Sequence, residues 1–146
     1  MTAMQVKNTV FGVVSVIGSA AAQALGGWDK GLKVLVCFMV LDYVTGWLVA
    51  AIWHKSGKSD SGALSSEAGF RGLVKKGVVL GLLWMAAMLD HVTGSEFVRD
   101  TVCFFFIANE GLSVLENTAV MGVPYPAIIK KTLDAVKQKG EEVGEK

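Results

Sequence analysis

From Asn8 to Trp28 the chain runs 21 residues without a charged side chain, the length an α-helix needs to cross a bilayer. Three further apolar blocks follow, at Gly31–Trp53, Gly72–Leu89 and Phe97–Met121. With 52% hydrophobic and 18% charged residues in 146, the chain is too apolar and too charge-poor for an ordinary soluble domain of its size. The pattern predicts an all-α integral membrane bundle of three to four transmembrane helices. The spans fall near 8–26, 32–53, 72–90 and 97–121, within a membrane domain of residues 1–126, and a charged tail occupies 127–146.

Charge placement gives the orientation. The loop from His54 to Lys76 carries Lys55, Lys58, Arg71, Lys75 and Lys76 against Asp60 and Glu67, whereas Asp90–Asp100 sets Arg99 alone against three acids. By the positive-inside rule the first loop is cytoplasmic and the second external. Lys7 then places the N-terminus inside, and Lys130, Lys131, Lys137 and Lys139 place the C-terminus in the cytoplasm. Lys30 and Lys33, in the external loop between the first two blocks, run mildly against the rule. Trp28 and Trp53 stand at block ends, where interfacial anchors form.

Some segments admit two readings. Ser15, Ser19 and Gln23 recur every fourth residue, so the first block either spans with that stripe toward a partner helix or lies on the membrane surface. It has no charged face, which favours the span. The third block becomes long enough only if Lys75 and Lys76 snorkel toward the cytoplasmic headgroups. After Pro124 and Pro126, Ile128, Ile129, Leu133 and Val136 recur at helical spacing, so the tail either lies along the membrane or a partner, or is solvated.

The chemistry sits in the fourth block. On a helical wheel Asn109, Glu110, Ser113, Glu116 and Asn117 share an arc of roughly 120°. A lipid-facing helix does not tolerate such a stripe, which must face other helices, water or its own copy in an oligomer. Asp42 lies near the middle of the second block, flanked by the small residues Thr45, Gly46 and Ala50 that permit close helix approach. Each unpaired ionised acid costs about 3 kcal/mol in lipid on insertion scales. No lysine or arginine is expected at their depth. Protonation, water, or hydrogen bonds with Asn109, Asn117, Ser113 and Thr45 are left to accommodate them. Gly77 and Gly81 form a helix-packing G-x-x-x-G pair.

Other classes fit poorly. The basic residues are scattered through loops rather than gathered on a face, which argues against nucleic acid as a partner. Cys37 and Cys103 lie inside apolar blocks and read as small buried hydrophobes. His54 and His91 lack metal-ligand spacing, and no nucleophile elbow or phosphate loop is present, so neither an enzyme nor a cofactor is expected.

Five features in order, LDYVTG at 41–46, a basic loop leading into GLVKKG at 72–77, a span ending in Asp90, N-E-x-x-S-x-x-E-N at 109–117, and G-x-P-x-P at Gly122, Pro124 and Pro126, resemble the toxin-secretion and phage-lysis holins. The resemblance covers roughly Gly26 to Leu133. It implies a small bacterial inner-membrane protein that accumulates harmlessly, then assembles with its own copies into large lesions. The functional partner is a released endolysin or, in some clostridia, a toxin. Asp42, Thr45 and Gly46 match the first motif, and Asn109, Glu110, Ser113, Glu116 and Asn117 match the fourth; all are pore-lining or assembly candidates. Ala50, Gly77 and Gly81 are helix-packing candidates. The alternatives are a small ion or proton channel or transporter that uses the intramembrane acids, and an antagonist of the same fold that forms no hole.

Overall fold

A computed structural model describes residues 2–57 and 61–144. Lys58 and Asp60 of the basic loop, and the last two residues of the tail, lie outside the described residues. Five α-helices follow in order: α1 (Ala3–Ala24), α2 (Lys30–Leu48), α3 (Ser66–Thr93), α4 (Val98–Val120) and α5 (Ala127–Gly144). A π-helical turn, Val49–Trp53, continues α2. No strand occurs among the described residues.

Local chemistry sets the helix ends. Asp29 caps α2, its Oδ1 accepting from the Leu32 amide at 2.8 Å. Ser65 caps α3 by accepting from the Ala68 amide, and Glu67 in the first turn pairs with Arg71 one turn on. These signals start α3 earlier than the expected span, so its first turns occupy sequence that reads as loop. Gly94, at φ +68°, ends the helix in the left-handed region. Asp90 then reaches forward and caps α4, accepting from the amides of Val98 at 3.0 Å and Arg99 at 2.8 Å. Gly122 and the two prolines after it stop α4 and turn the chain.

Helix α4 is central, packed against α2, α3 and α5. The core comprises Leu32, Leu35 and Met39 from α2, Leu83 from α3, and Cys103 and Ile107 from α4. Outward faces are apolar too: Val40, Val44 and Trp47 of α2 and Leu73, Val78, Trp84 and Met85 of α3 are all exposed. That inversion of the usual surface suits a lipid surround. The segments Lys30–Trp53 and Ser66–Thr93 are long and apolar enough to cross a membrane. Helix α1 buries none of its residues.

Candidate functional site

Three helices bring charge to one point, and the phase of each explains why. On α2, Leu32, Leu35 and Met39 advance by three and four residues, and Asp42 is the next position on that inward stripe. On α4, Cys103 and Ile107 lead in the same way to Glu110. On α3, Ala86, Leu83 and Val79 lead back to Lys76. The apolar stripes close the core, and their common end holds two acids and a base.

Lys76 Nζ donates to Asp42 Oδ2 at 2.8 Å and also to Glu110 Oε2, with all three side chains nearly buried. Ser113 Oγ donates to Asp42 Oδ1 at 2.5 Å, and Asn117 Nδ2 donates to the same oxygen at 3.2 Å and to Thr45 Oγ1 at 2.9 Å. Thr45 in turn donates to the Leu41 carbonyl at 2.8 Å. Among the described residues no buried side-chain nitrogen or oxygen lacks a partner. A cavity of about 60 Å³, lined by Asp42, Tyr43, Gly46, Lys76 and residues of the loop before α3, adjoins the cluster.

This corrects the expectation that no cation shares the depth of the acids, and the expectation that Lys76 snorkels outward. Lys75 is exposed, but Lys76 lies one helical step round and points inward. The signal was present in the sequence: Lys76 is in phase with Val79, Leu83 and Ala86, whereas Lys75 is not.

The polar arc of α4 is divided. Glu110, Ser113 and Asn117 turn to α2 and α3, whereas Asn109 and Glu116 are exposed, two turns apart on one outward face. Ala50 is buried in the π-helical turn, which contacts α4. Gly77 and Gly81 behave differently. A Cβ added at either would meet nothing within 4 Å, so their seam is open and packs no helix of this chain.

A second cluster, not anticipated from sequence, ties the other end. Arg99 is buried at the start of α4, its Nε donating to the Leu25 carbonyl at 2.8 Å and its Nη1 to Asp29 and, at 3.0 Å, to Asp100. The Arg99 guanidinium beside Asp29 holds that carboxyl below the usual carboxylate range. Gly26 permits the approach: it has φ +89°, and a Cβ there would lie 2.7 Å from Arg99 Nε.

Apolar outward faces on α2 and α3, around a small hydrogen-bonded polar interior, are those of a helical membrane protein. The chain belongs to the bacteriophage holin family, whose sequence model matches residues 19–138. An uncharacterized 14.9 kDa protein from the nagH 3' region of Clostridium perfringens is 39% identical over 131 residues, which cover 88% of this chain and 92% of that protein. An uncharacterized Listeria monocytogenes protein is 36% identical over 137 residues, 93% of this chain and 91% of its own length. A probable holin of Bacillus phage phi105 is 28% identical over 123 residues, covering 84% of this chain and 85% of the phage protein. No solved structure matches the chain.

Proposed function

We propose that the chain is a holin that gathers in the bacterial inner membrane and opens lesions through which an endolysin, or a toxin, leaves the cell. The observation that carries this reading is the Lys76 cluster. By pairing Asp42 and Glu110 within one molecule, it keeps these two acids away from lipid already in a single copy. Silent accumulation is what a delayed lysis protein requires. Four spans, α1 to α4, with both termini cytoplasmic, fit the basic loop and the external Arg99 cluster.

Assembly falls to what the single chain leaves open. Asn109 and Glu116 face outward on α4, and an exposed acid in lipid needs a partner from another copy. The Gly77/Gly81 seam on α3 offers a different surface for close helix approach. Two unlike contact surfaces support head-to-tail growth rather than closure as a dimer. The protein acts on the membrane without catalysis.

Co-expression with a cytoplasmic murein hydrolase tests the proposal. Release of active hydrolase and lysis are the expected outcome. Ion leakage with the hydrolase retained would identify a channel instead, and absence of both would identify a non-permeabilising antagonist.

A further inference from the structure

None of the residues of α1 is buried, yet its surface is not uniform. Asn8, Gly12, Ser15, Ser19 and Ala22 recur in alternating steps of four and three, within an arc of about 80°. Val6, Val10, Val13, Val14 and Ile17 cover the opposite side. Close packing between helices in a membrane uses such seams of small and polar side chains. Helix α4 carries a counterpart. It buries Cys103, Ile107, Ala108, Glu110, Gly111 and Leu115, but leaves open Val102, Phe105, Asn109, Leu112 and Glu116. These five again advance in steps of three and four, on a stripe about 80° wide. At its outer end the stripe floors a groove of about 520 Å³ walled by Leu82, Met85 and Leu89 of α3. Among the described residues the side chains of Asn8, Asn109 and Glu116 have no hydrogen-bond partner.

Arg99 fixes the level of the two helices. Its Nε donates to the Leu25 carbonyl at 2.8 Å and Gly26 closes on the same side chain. The outer ends of α1 and α4 therefore stand at one depth, to within about a helical turn. Counted inward from Leu25 and Arg99, Ala22 comes level with Val102, Ser19 with Phe105 and Ser15 with Asn109. Gly12 then meets Leu112, and Asn8 meets Glu116. Small residues oppose large ones, and polar residues oppose polar ones. Lys7, beside Asn8, brings a cation to the level of the acid. The match is not used within the chain, because the tie to Arg99 holds the exit of α1 and leaves the helix outside its own bundle.

We infer that α1 of one copy docks on the open stripe of α4 of a second copy. The two helices run antiparallel, with Ser15 against Asn109 and the Asn8 amide donating to Glu116. Two copies in one orientation in the membrane meet this way without any shift in depth. Each copy gives one arm and accepts one, a head-to-tail contact that further copies extend. This docking rests on the holin reading above and on α1 as a span, and it names what covers the α4 face.

Disulfide cross-linking in membranes tests the contact without reference to lysis. The chain carries Cys37→Ala and Cys103→Ala, with Ser15→Cys and Asn109→Cys as the test pair. Tightly packed helices bring such Cα atoms within the disulfide reach of about 7 Å. Mild oxidation is expected to give a ladder of dimers, trimers and higher species. Val14→Cys with Asn109→Cys, on the far side of α1, is expected to give none. A bridge closed within single chains would place α1 on its own bundle. Dimers from Ser15→Cys alone would pair α1 with α1, and no cross-link in either pair would leave the groove to lipid. Each of these overturns the inference. A second measurement uses shape. Gly12 has open space around it in its own chain, so Gly12→Leu spares the fold but collides with Leu112 of the neighbouring copy. Normal accumulation in the membrane fraction with loss of hydrolase release is expected, and Leu112→Ala in the same chain is expected to restore release. Release on the parent's schedule in Gly12→Leu overturns the docking. A parent that forms the ladder but releases no hydrolase sinks the holin reading and leaves the contact standing; a parent that lyses without the ladder does the reverse.

Discussion

Lys76 of α3 donates to Asp42 of α2 at 2.8 Å, across 34 residues of sequence, and the same ammonium reaches Glu110 of α4. One base therefore joins the three helices that make the core. The hydroxyl of Ser113 and the amide of Asn117 add further donors to Asp42.

Lys76→Met removes the ammonium that the buried Asp42 and Glu110 share. Removing one partner of such a cluster costs about 3–5 kcal/mol, and unfolding of the detergent-solubilised protein is expected to become easier by that order. Adding Asp42→Asn and Glu110→Gln removes the uncompensated charge and should restore most of the loss. Denaturant unfolding of the single and triple variants checks this, and a triple variant no better than the single one would contradict the pairing.

Glu110 and Glu116 are expected to part company. Glu110→Gln disturbs the buried cluster and lowers stability. Glu116→Gln removes no hydrogen bond or ion pair among the described residues, so its stability should match the parent while the onset of lysis shifts. Unfolding in detergent and culture optical density after induction, measured side by side, separate the two. Equal effects on both readouts would mean that the arc acts as one surface.

Gly111→Ala places a methyl group against Leu133 and the Phe38 ring. Overpacking of this kind costs about 1–3 kcal/mol, and here it falls on the α4–α5 contact. Proteolysis within α5 should speed up in the variant. Leu133→Ala in the same chain makes room for the methyl group and is expected to recover part of the protection.

Asp29 gives a pH dependence whose sign is fixed. Its folded-state carboxyl titrates lower than the unfolded value of about 3.9, chiefly through the hydrogen bond from Arg99. Its contribution is therefore fully present above that value and is lost as pH falls through the lower, folded one. The side chain is about half exposed, so the effect is small. Asp29→Asn should flatten the acid limb of a stability-against-pH curve below about pH 4.

Much of this architecture is legible in the residue pattern. The apolar blocks set the positions of α2 and α4 within a few residues, and the 3.6-residue period puts Glu110, Ser113 and Asn117 on one arc. What the pattern hid were relations between helices. A wheel drawn for α4 alone shows five polar residues together, but only the positions of α2 and α3 divide them into an inner three and an outer two. Lys76 was obscured by its neighbour Lys75, because a pair of lysines beside an apolar block reads as a headgroup anchor. In the sequence Arg99 reads as one charge in an external loop, and its burial depends on the left-handed turn at Gly26 more than seventy positions earlier. The path of α5 depends on a glycine socket that has no signature until Leu133 is placed over it.

Helix α1 makes no contribution to the interior, and the tie that Arg99 forms with the backbone begins only at Leu25. A substitution along α1 is therefore expected to leave the packing of α2 to α5 as it was. The family match begins at residue 19, within the last turns of α1. Changes in α1 are expected to act through whatever surrounds the bundle, lipid or a further copy of the chain, and not through its core.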